Sequence, residues 1–311
     1  MFTFLKVAAR IEPRAFVASA LLLVCTMAAA QDLEPRAYSP APIGTNFVGL
    51  TYAHSSGDVL LDPTIPIQNA NVQFNTMSAG YYHSFGLFGR QTSVSLVVPY
   101  VWGSGTGLVN GVQTNIYRSG LGDPGLRISY NLYGSPALTA EEFKKRKSKT
   151  VVGISVVITA PLGQYDPRLL INIGTNRWSF KPQIGFSRAV HAWTLDLYLG
   201  GYFFSDNSNF FGGHMRQQAP IGATQVHVSY TFRPGMWAAV DGIYYTGGRT
   251  TVDGVPKNDL QQNVRVGLTF ALPIGHAQSL KFQYTTGAVT RVGGNFTTAA
   301  ITYQLRFMTP R

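Results

Sequence analysis

The stretch from Asn176 to Phe204 constrains the chain most. It reads NRWSFKPQIGFS, then RAVH, then AWTLDLYLGGYFF. In the first arm Trp178, Phe180, Ile184 and Phe186 alternate with Arg177, Ser179, Lys181, Gln183 and Ser187. In the second, Trp193, Leu195, Leu197 and Leu199 alternate with Thr194, Asp196 and Tyr198. Successive strand side chains point to opposite faces, so each arm has one apolar and one polar face. A sandwich core would not accept Lys181 and Asp196 unpaired. Water would not favour so long a row of leucines and aromatics. Lipid outside and a wet lumen inside suit both faces, which is the pattern of a transmembrane β-barrel strand of roughly 10 residues. Pro182 falls within the run on the apolar face and removes one ladder donor, so a local bulge is expected there.

Composition agrees. The chain is 45% hydrophobic yet only 13% charged, and it has 33 glycines and 16 tyrosines. Soluble domains carry about 25% charged residues. Beyond the first 30 positions no apolar run reaches the ~20 residues that a spanning helix needs. The chain is long enough for two soluble domains or one large barrel, and the patterning favours the barrel.

Residues 1–30 read as a cleavable targeting segment. Lys6, Arg10 and Arg14 give a positive start, AFVASALLLVCTM an apolar core, and Ala28, Ala29 and Ala30 the small residues before the cut. Val24 before Cys25 is not the small residue that lipidation wants. Cys25 is the single cysteine, so the mature chain is expected to have no disulfide and no thiolate metal site. The formal charge is +11, of which Lys6, Arg10 and Arg14 less Glu12 contribute +2, leaving about +9. In a secreted barrel this balance points to anionic head groups or anionic solutes rather than nucleic acid.

Residues 31–43, with Pro35, Pro40 and Pro42, are expected to form a periplasmic lead to a barrel over 44–308. Alternation places strands at 44–54, 72–85, 90–101, around 126–132, 150–162, 176–187, 193–204, 221–232, 236–246, around 264–272, around 280–285 and around 301–307. That is an all-β, antiparallel, up-and-down barrel of about twelve strands. Connections after strands 2, 6, 8 and 10 are short. Those after odd-numbered strands are longer, as expected for periplasmic turns and extracellular loops. Tyr52, Phe85, Tyr100, Tyr133, Trp178, Trp193, Phe204, Trp237 and Tyr245 lie near strand ends and are expected to form interfacial girdles. Residues 134–149 break the rule: they follow an even strand, yet are long. They carry Lys144, Lys145, Arg146, Lys147 and Lys149, and 137–147 can form a short helix. This is a solvated charge run, a contact for an anionic periplasmic partner, or the sign of a miscounted strand.

Four motifs carry a family resemblance. They are Ser119-Gly120-Leu121-Gly122-Asp123, Ala160-Pro161-Leu162-Gly163-Gln164-Tyr165, the run from Asn172 to Trp178, and the run from Tyr244 to Arg249. In this order and spacing the chain resembles the "MetA-pathway of phenol degradation" family over about residues 32–307. The resemblance implies an outer-membrane barrel for passive uptake of hydrophobic or aromatic compounds. It supplies no catalytic residues. Tyr303, Leu305 and Phe307 form an apolar ending like the signal read by the barrel-assembly machinery, although four residues follow it.

By residue chemistry, Gly120 and Gly122 beside Pro124 suit a tight re-entry at the barrel rim, with Asp123 bonding to loop amides. No GxxxxGK[ST] phosphate cradle occurs. Lys181, Asp196, His227, Asp241, Arg265, Lys281 and Arg306 fall on the polar faces. They read either as lumen-filling ion pairs, Asp196 with Lys181 across their hairpin, or as a selective lining. Arg265, Lys281 and Arg306 suggest one basic stripe favouring anions or carboxylated aromatics. An outer-membrane enzyme is the competing class, but neither His54-Ser55 nor His83-Ser84 makes a dyad, because neighbours on a strand point apart. The six histidines (54, 83, 191, 214, 227, 276) show no ligand spacing. The expectation is a barrel channel without enzymatic activity, cofactor or metal. Its partners are outer-membrane lipid, the assembly machinery and small apolar solutes, with no nucleic acid. The alternative is a structural or adhesive barrel with a filled lumen, whose loops 205–220 and 247–260 bind a partner or fold inward as a gate.

Overall fold

The computed structural model describes residues 33–60, 67–109, 111–147, 149–169 and 171–309. The expected targeting segment lies outside the described residues. The wall begins with β1 (Thr45–Leu60), β2 (Ile67–Leu87) and β3 (Arg90–Val109). Its fourth strand is interrupted into β4 (Val112–Leu121) and β5 (Gly125–Tyr133), which pair with successive lengths of β3. Then come β6 (Thr150–Thr159), β7 (Ser179–Val190) and β8 (Trp193–Phe204). After the short β9 (Asn207–Phe210) and β10 (His214–Gln218), β11 (Ile221–Arg233) and β12 (Met236–Gly247) continue the wall. After β13 (Thr250–Val252) and β14 (Val255–Pro256) it ends with β15 (Gln261–Pro273), β16 (Gln278–Val289) and β17 (Gly293–Met308). Sequence neighbours pair antiparallel, and β1 pairs with β17, closing a barrel of twelve strands.

The alternation read from the sequence is the inside–outside alternation of this wall. Leu195, Leu197 and Leu199 are 48%, 40% and 49% exposed, while Asp196 and Tyr198 between them are 0% exposed. The same holds for Val226 and Val228 around His227. A continuous belt of exposed Leu, Val, Ile and aromatic side chains is tolerated only against lipid. In lipid every backbone group must find a partner within the protein, which a closed barrel achieves.

The short connections fall where expected. Residues between β2 and β3, β7 and β8, β11 and β12, and β15 and β16 turn the chain at one end, the turn end, where β1 begins and β17 finishes. Arg233-Pro234-Gly235-Met236 shows why: proline fixes φ near −65° at the second position and Gly235 takes φ 80° at the third. Residues 134–149 lie at this end too, so the strand count stands. They hold one helical turn, α1 (Ala140–Phe143), capped by Thr139 and Glu142 in a capping box.

Three local expectations change. Residues 55–71 and 102–120, expected as loops, are largely strand, because β1, β2, β3 and β4 run on beyond the lipid belt. Outside lipid a strand needs no apolar face, so its Gly, Ser and Thr give no alternation to read. The loops 205–220 and 247–260 pair with each other into a second, four-stranded sheet in the order β14-β13-β10-β9 at the opposite, loop end. Pro182 makes no bulge. The β7–β8 ladder pairs Phe180 with Phe203 and Gln183 with Gly200 in unbroken register, and skips the two pairs between.

Candidate functional site

The lumen is built by the inward faces of the wall and by a segment expected in the periplasm. Residues 33–43 run among the inward side chains. At the turn end the Ile43 N–H donates to the Leu138 carbonyl at 2.8 Å and the Ala41 N–H to Gln91 Oε1 at 3.0 Å. Further in, the Tyr38 hydroxyl lies 2.9 Å from Ser155 Oγ and takes a bond from Gln183 Nε2 at 3.2 Å. Tyr38 is 1% exposed, and its ring meets Tyr198 edge-on at 5.1 Å. Gly153 on β6 and Gly185 on β7 make the room: a Cβ built on them would stand 2.4 and 2.1 Å from the Tyr38 ring. Leu33, 4% exposed, ends against Ile221, Ala223, Ile243 and Tyr245.

The segment also supplies charge. Glu34 pairs with Arg127 and lies 3.9 Å from Lys181 Nζ. The Arg36 N–H donates to Asp196 Oδ2 at 3.1 Å. Its guanidinium donates to Ser229 Oγ at 2.9 Å and Thr231 Oγ1 at 2.6 Å, and lies 4.5 Å over the Trp237 ring. Buried charges persist when paired and fully bonded, and here the lead segment provides partners that the wall lacks.

The seven polar-face candidates are brought together only in part. Lys181 and Asp196 do not pair: Asp196 stands opposite Ser187 on β7, about six residues or roughly 20 Å along the strand from Lys181. His227 and Asp241 do pair, Nδ1 to Oδ1 at 2.7 Å, with Thr269 Oγ1 donating to Asp241 Oδ2 at 2.6 Å. His227 Nε2 faces Gln225 Oε1 at 3.1 Å. The basic stripe is dispersed. Arg265 Nη2 donates to the Phe296 carbonyl at 3.0 Å, and Lys281 is half-buried opposite Ala271. Arg306 is exposed at the turn end with Nη2 on the His276 carbonyl at 3.2 Å. Strand register, not sequence order, sets height in a lumen, so three charges on successive strands need not share a level.

Asp123 is a junction. It sits in the break between β4 and β5, where its carboxylate accepts from the Gly163 and Thr175 amides, both at 2.8 Å, and from Thr175 Oγ1 at 2.6 Å. Gly122 lies in the same break and packs on Pro99 of β3, and Gly120 leaves room for Gln164. Of the expected girdle, Tyr52, Tyr100, Tyr133, Trp178 and Trp193 are outward and exposed. Phe204, Trp237 and Tyr245 instead face the lumen, where Phe204 lies 4.3 Å from the Arg177 guanidinium. They share parity with Asp196 and Asp241, a signal that strand-end position had overridden.

The two His-Ser pairs diverge. His54 Nδ1 lies 2.9 Å from Asn75 Oδ1, while Ser55 Oγ turns in to Thr298 Oγ1 at 2.8 Å. His83 Nδ1 lies 2.8 Å from Asn46 Oδ1, and Ser84 Oγ donates to the Pro42 carbonyl at 2.6 Å.

At the loop end, Arg177 and Arg216 are 2% and 5% exposed. Burial, with the charge of Arg216 added, holds the Arg177 guanidinium well below its usual range. Burial also lowers Arg216. On the exposed loop, side-chain and backbone bonds from Arg168 draw Asp166 down to about 2.

A groove of about 800 Å³ lies on the wall beside Pro182, where two steps of the β7–β8 ladder are unpaired. It is lined by outward Ile184, Leu199 and Phe203, by inward Ser155 and Gln183, and by Gly200, Gly201 and Gly222.

No curated protein sequence matches the chain significantly. Among solved structures it is similar to the COG4313 outer membrane channel from Pseudomonas putida F1, at 21% identity and TM-score 0.76, covering 89% of this chain and 100% of that one. It is less similar to the transport unit of the autotransporter AIDA-I from Escherichia coli, at 10% identity and TM-score 0.54 over 91% and 96% of the two chains. The translocator domain of the autotransporter NalP from Neisseria meningitidis gives 10% identity and TM-score 0.50 over 90% and 92%. These likenesses concern the barrel fold. The profile of the family described as "MetA-pathway of phenol degradation" matches residues 52–305, most of the wall, and the chain belongs to that family.

Proposed function

We propose that the chain is an outer-membrane channel for passive uptake of small hydrophobic or aromatic compounds, which pass through the wall rather than down a water-filled bore. The observation that carries this reading is a pairing of two features. The lumen is occupied by residues 33–43, while two steps of the β7–β8 ladder are unpaired at Pro182 beside an apolar groove. A filled lumen is costly for a hydrophilic pore, and an apolar groove over a weakened ladder step suits a solute already dissolved in lipid. Family membership and the barrel fold shared with an outer-membrane channel support the channel part of this reading, not the route. Among the described residues, neither His54 with Ser55 nor His83 with Ser84 is arranged as a base with its nucleophile.

The filled lumen also favours a structural barrel. Labelled toluene supplied to intact cells with and without the protein separates the two readings. The channel reading expects faster accumulation with the protein. Equal rates in both strains refute it and leave the structural role.

A further inference from the structure

At the loop end, Arg177 precedes β7, and its Nη2 donates to Gln218 Oε1 at 2.5 Å. Gln218 is fixed in turn by donating Nε2 to the Gly248 carbonyl at 3.0 Å. The other arm of the fork, Nη1, is buried without a hydrogen-bond partner among the described residues. Arg216 stands two residues before Gln218 on β10, on the same face, and its guanidinium lies 5.8 Å over the Phe210 ring. Among the described residues that guanidinium has no hydrogen-bond partner.

The nearby acids are committed elsewhere. Asp123 is held by Gly163 and Thr175, and Asp259 accepts from the Thr250 N–H at 2.8 Å and from Thr250 Oγ1 at 2.5 Å. Arg177 thus reaches the face of β10 that Arg216 shares, and among the described residues neither carboxylate forms an ion pair with either buried cation. A buried donor left without a partner is destabilising, and more so when it is charged. Apolar rings complete the surroundings: Phe204 lies under the Arg177 guanidinium at 4.3 Å and stacks on Tyr202 at 6.4 Å.

We infer that Arg177 and Arg216 form a binding site for a small aromatic carboxylate, whose oxygens satisfy the free arm of Arg177 while its ring packs towards Phe204. Guanidinium forks match carboxylates in shape as well as charge, which a lysine does not reproduce. The site deepens the uptake reading and rests on it, by naming one class of solute held at the loop end. It takes the anion preference that the sequence placed on Arg265, Lys281 and Arg306 and moves it to a different pair.

The test is calorimetric titration of benzoate into the full-length detergent-solubilised protein, so it reads binding and not flux. Saturable binding is expected, weakened about 10- to 100-fold in Arg177→Met and in Arg216→Met, with Arg177→Lys between them and wild type. Toluene, which lacks the carboxylate, is expected to show none of this dependence. Heat-modified migration on gels reports whether each variant forms the barrel. If Arg177→Met does not assemble, Arg216→Met carries the test alone. Absence of saturable benzoate binding overturns the site, as does wild-type affinity in an assembled variant. Phosphate displacing benzoate at equal concentration marks a general anion site and overturns the aromatic assignment. None of these results alters toluene accumulation in cells, so the failure of this site and the failure of the uptake reading are distinguishable.

Discussion

The Tyr38 ring lies where the Cβ of Gly185 would be: a methyl built on that glycine comes within 2.1 Å of Tyr38 Cε2. Inward glycines on β6 and β7 thus form a seat for one side chain of the lead segment. Gly185→Ala is expected to unseat residues 33–43 and raise single-channel conductance in planar bilayers, with the barrel still heat-modifiable. Tyr38→Ala is expected to do the same by removing the anchor, at a cost of about 3 kcal/mol in urea unfolding. Wild-type conductance in both variants contradicts the seating.

Asp241 holds His227 and Thr269 at 2.7 and 2.6 Å in a site 2% exposed. Asp241→Ala leaves both partners unsatisfied and is expected to destabilise the barrel by about 3 kcal/mol, measured as a shift in the urea midpoint. Adding Thr269→Val to Asp241→Ala is expected to cost less than the sum of the two single changes, because the hydroxyl loses the same partner in each.

Asp166 provides a pH prediction outside the membrane. Its folded value, about 2, lies below the ordinary 3.8, so its bond to Arg168 contributes order that is fully present above pH 3.8 and is lost as pH falls through about 2. Amide exchange in residues 166–172 is expected to quicken across that window. Arg168→Ala is expected to move the midpoint up towards 3.8. An unchanged midpoint in the variant means that Arg168 is not the cause.

Much of the wall was legible in the sequence, because lipid enforces alternation. Leu195, Leu197 and Leu199 against Asp196 and Tyr198 assign both faces without any structure. The lead segment was illegible for the opposite reason. Tyr38 reaches Ser155 and Arg36 reaches Ser229 across 117 and 193 residues of chain, and a proline-rich stretch has no period that announces such partners. The extensions of β3 and β4 were missed because strands beyond the lipid belt lose their apolar face. Lys181 and Asp196 share a face but not a height, and only register decides height. The Arg177–Arg216 pair depends on a sheet formed between two separate loops, which neither loop reveals alone.

Apolar solutes are proposed to pass through the wall at Pro182, where the β7–β8 ladder skips the two pairs between Phe180–Phe203 and Gln183–Gly200. Pro182→Ala supplies the backbone N–H that proline lacks and lets this step of β7 pair with β8. Toluene accumulation is to be measured in intact cells that carry equal amounts of assembled wild-type or variant barrel. At least a several-fold slower rate is expected in Pro182→Ala. A variant barrel that admits toluene as fast as wild type would contradict passage through the wall.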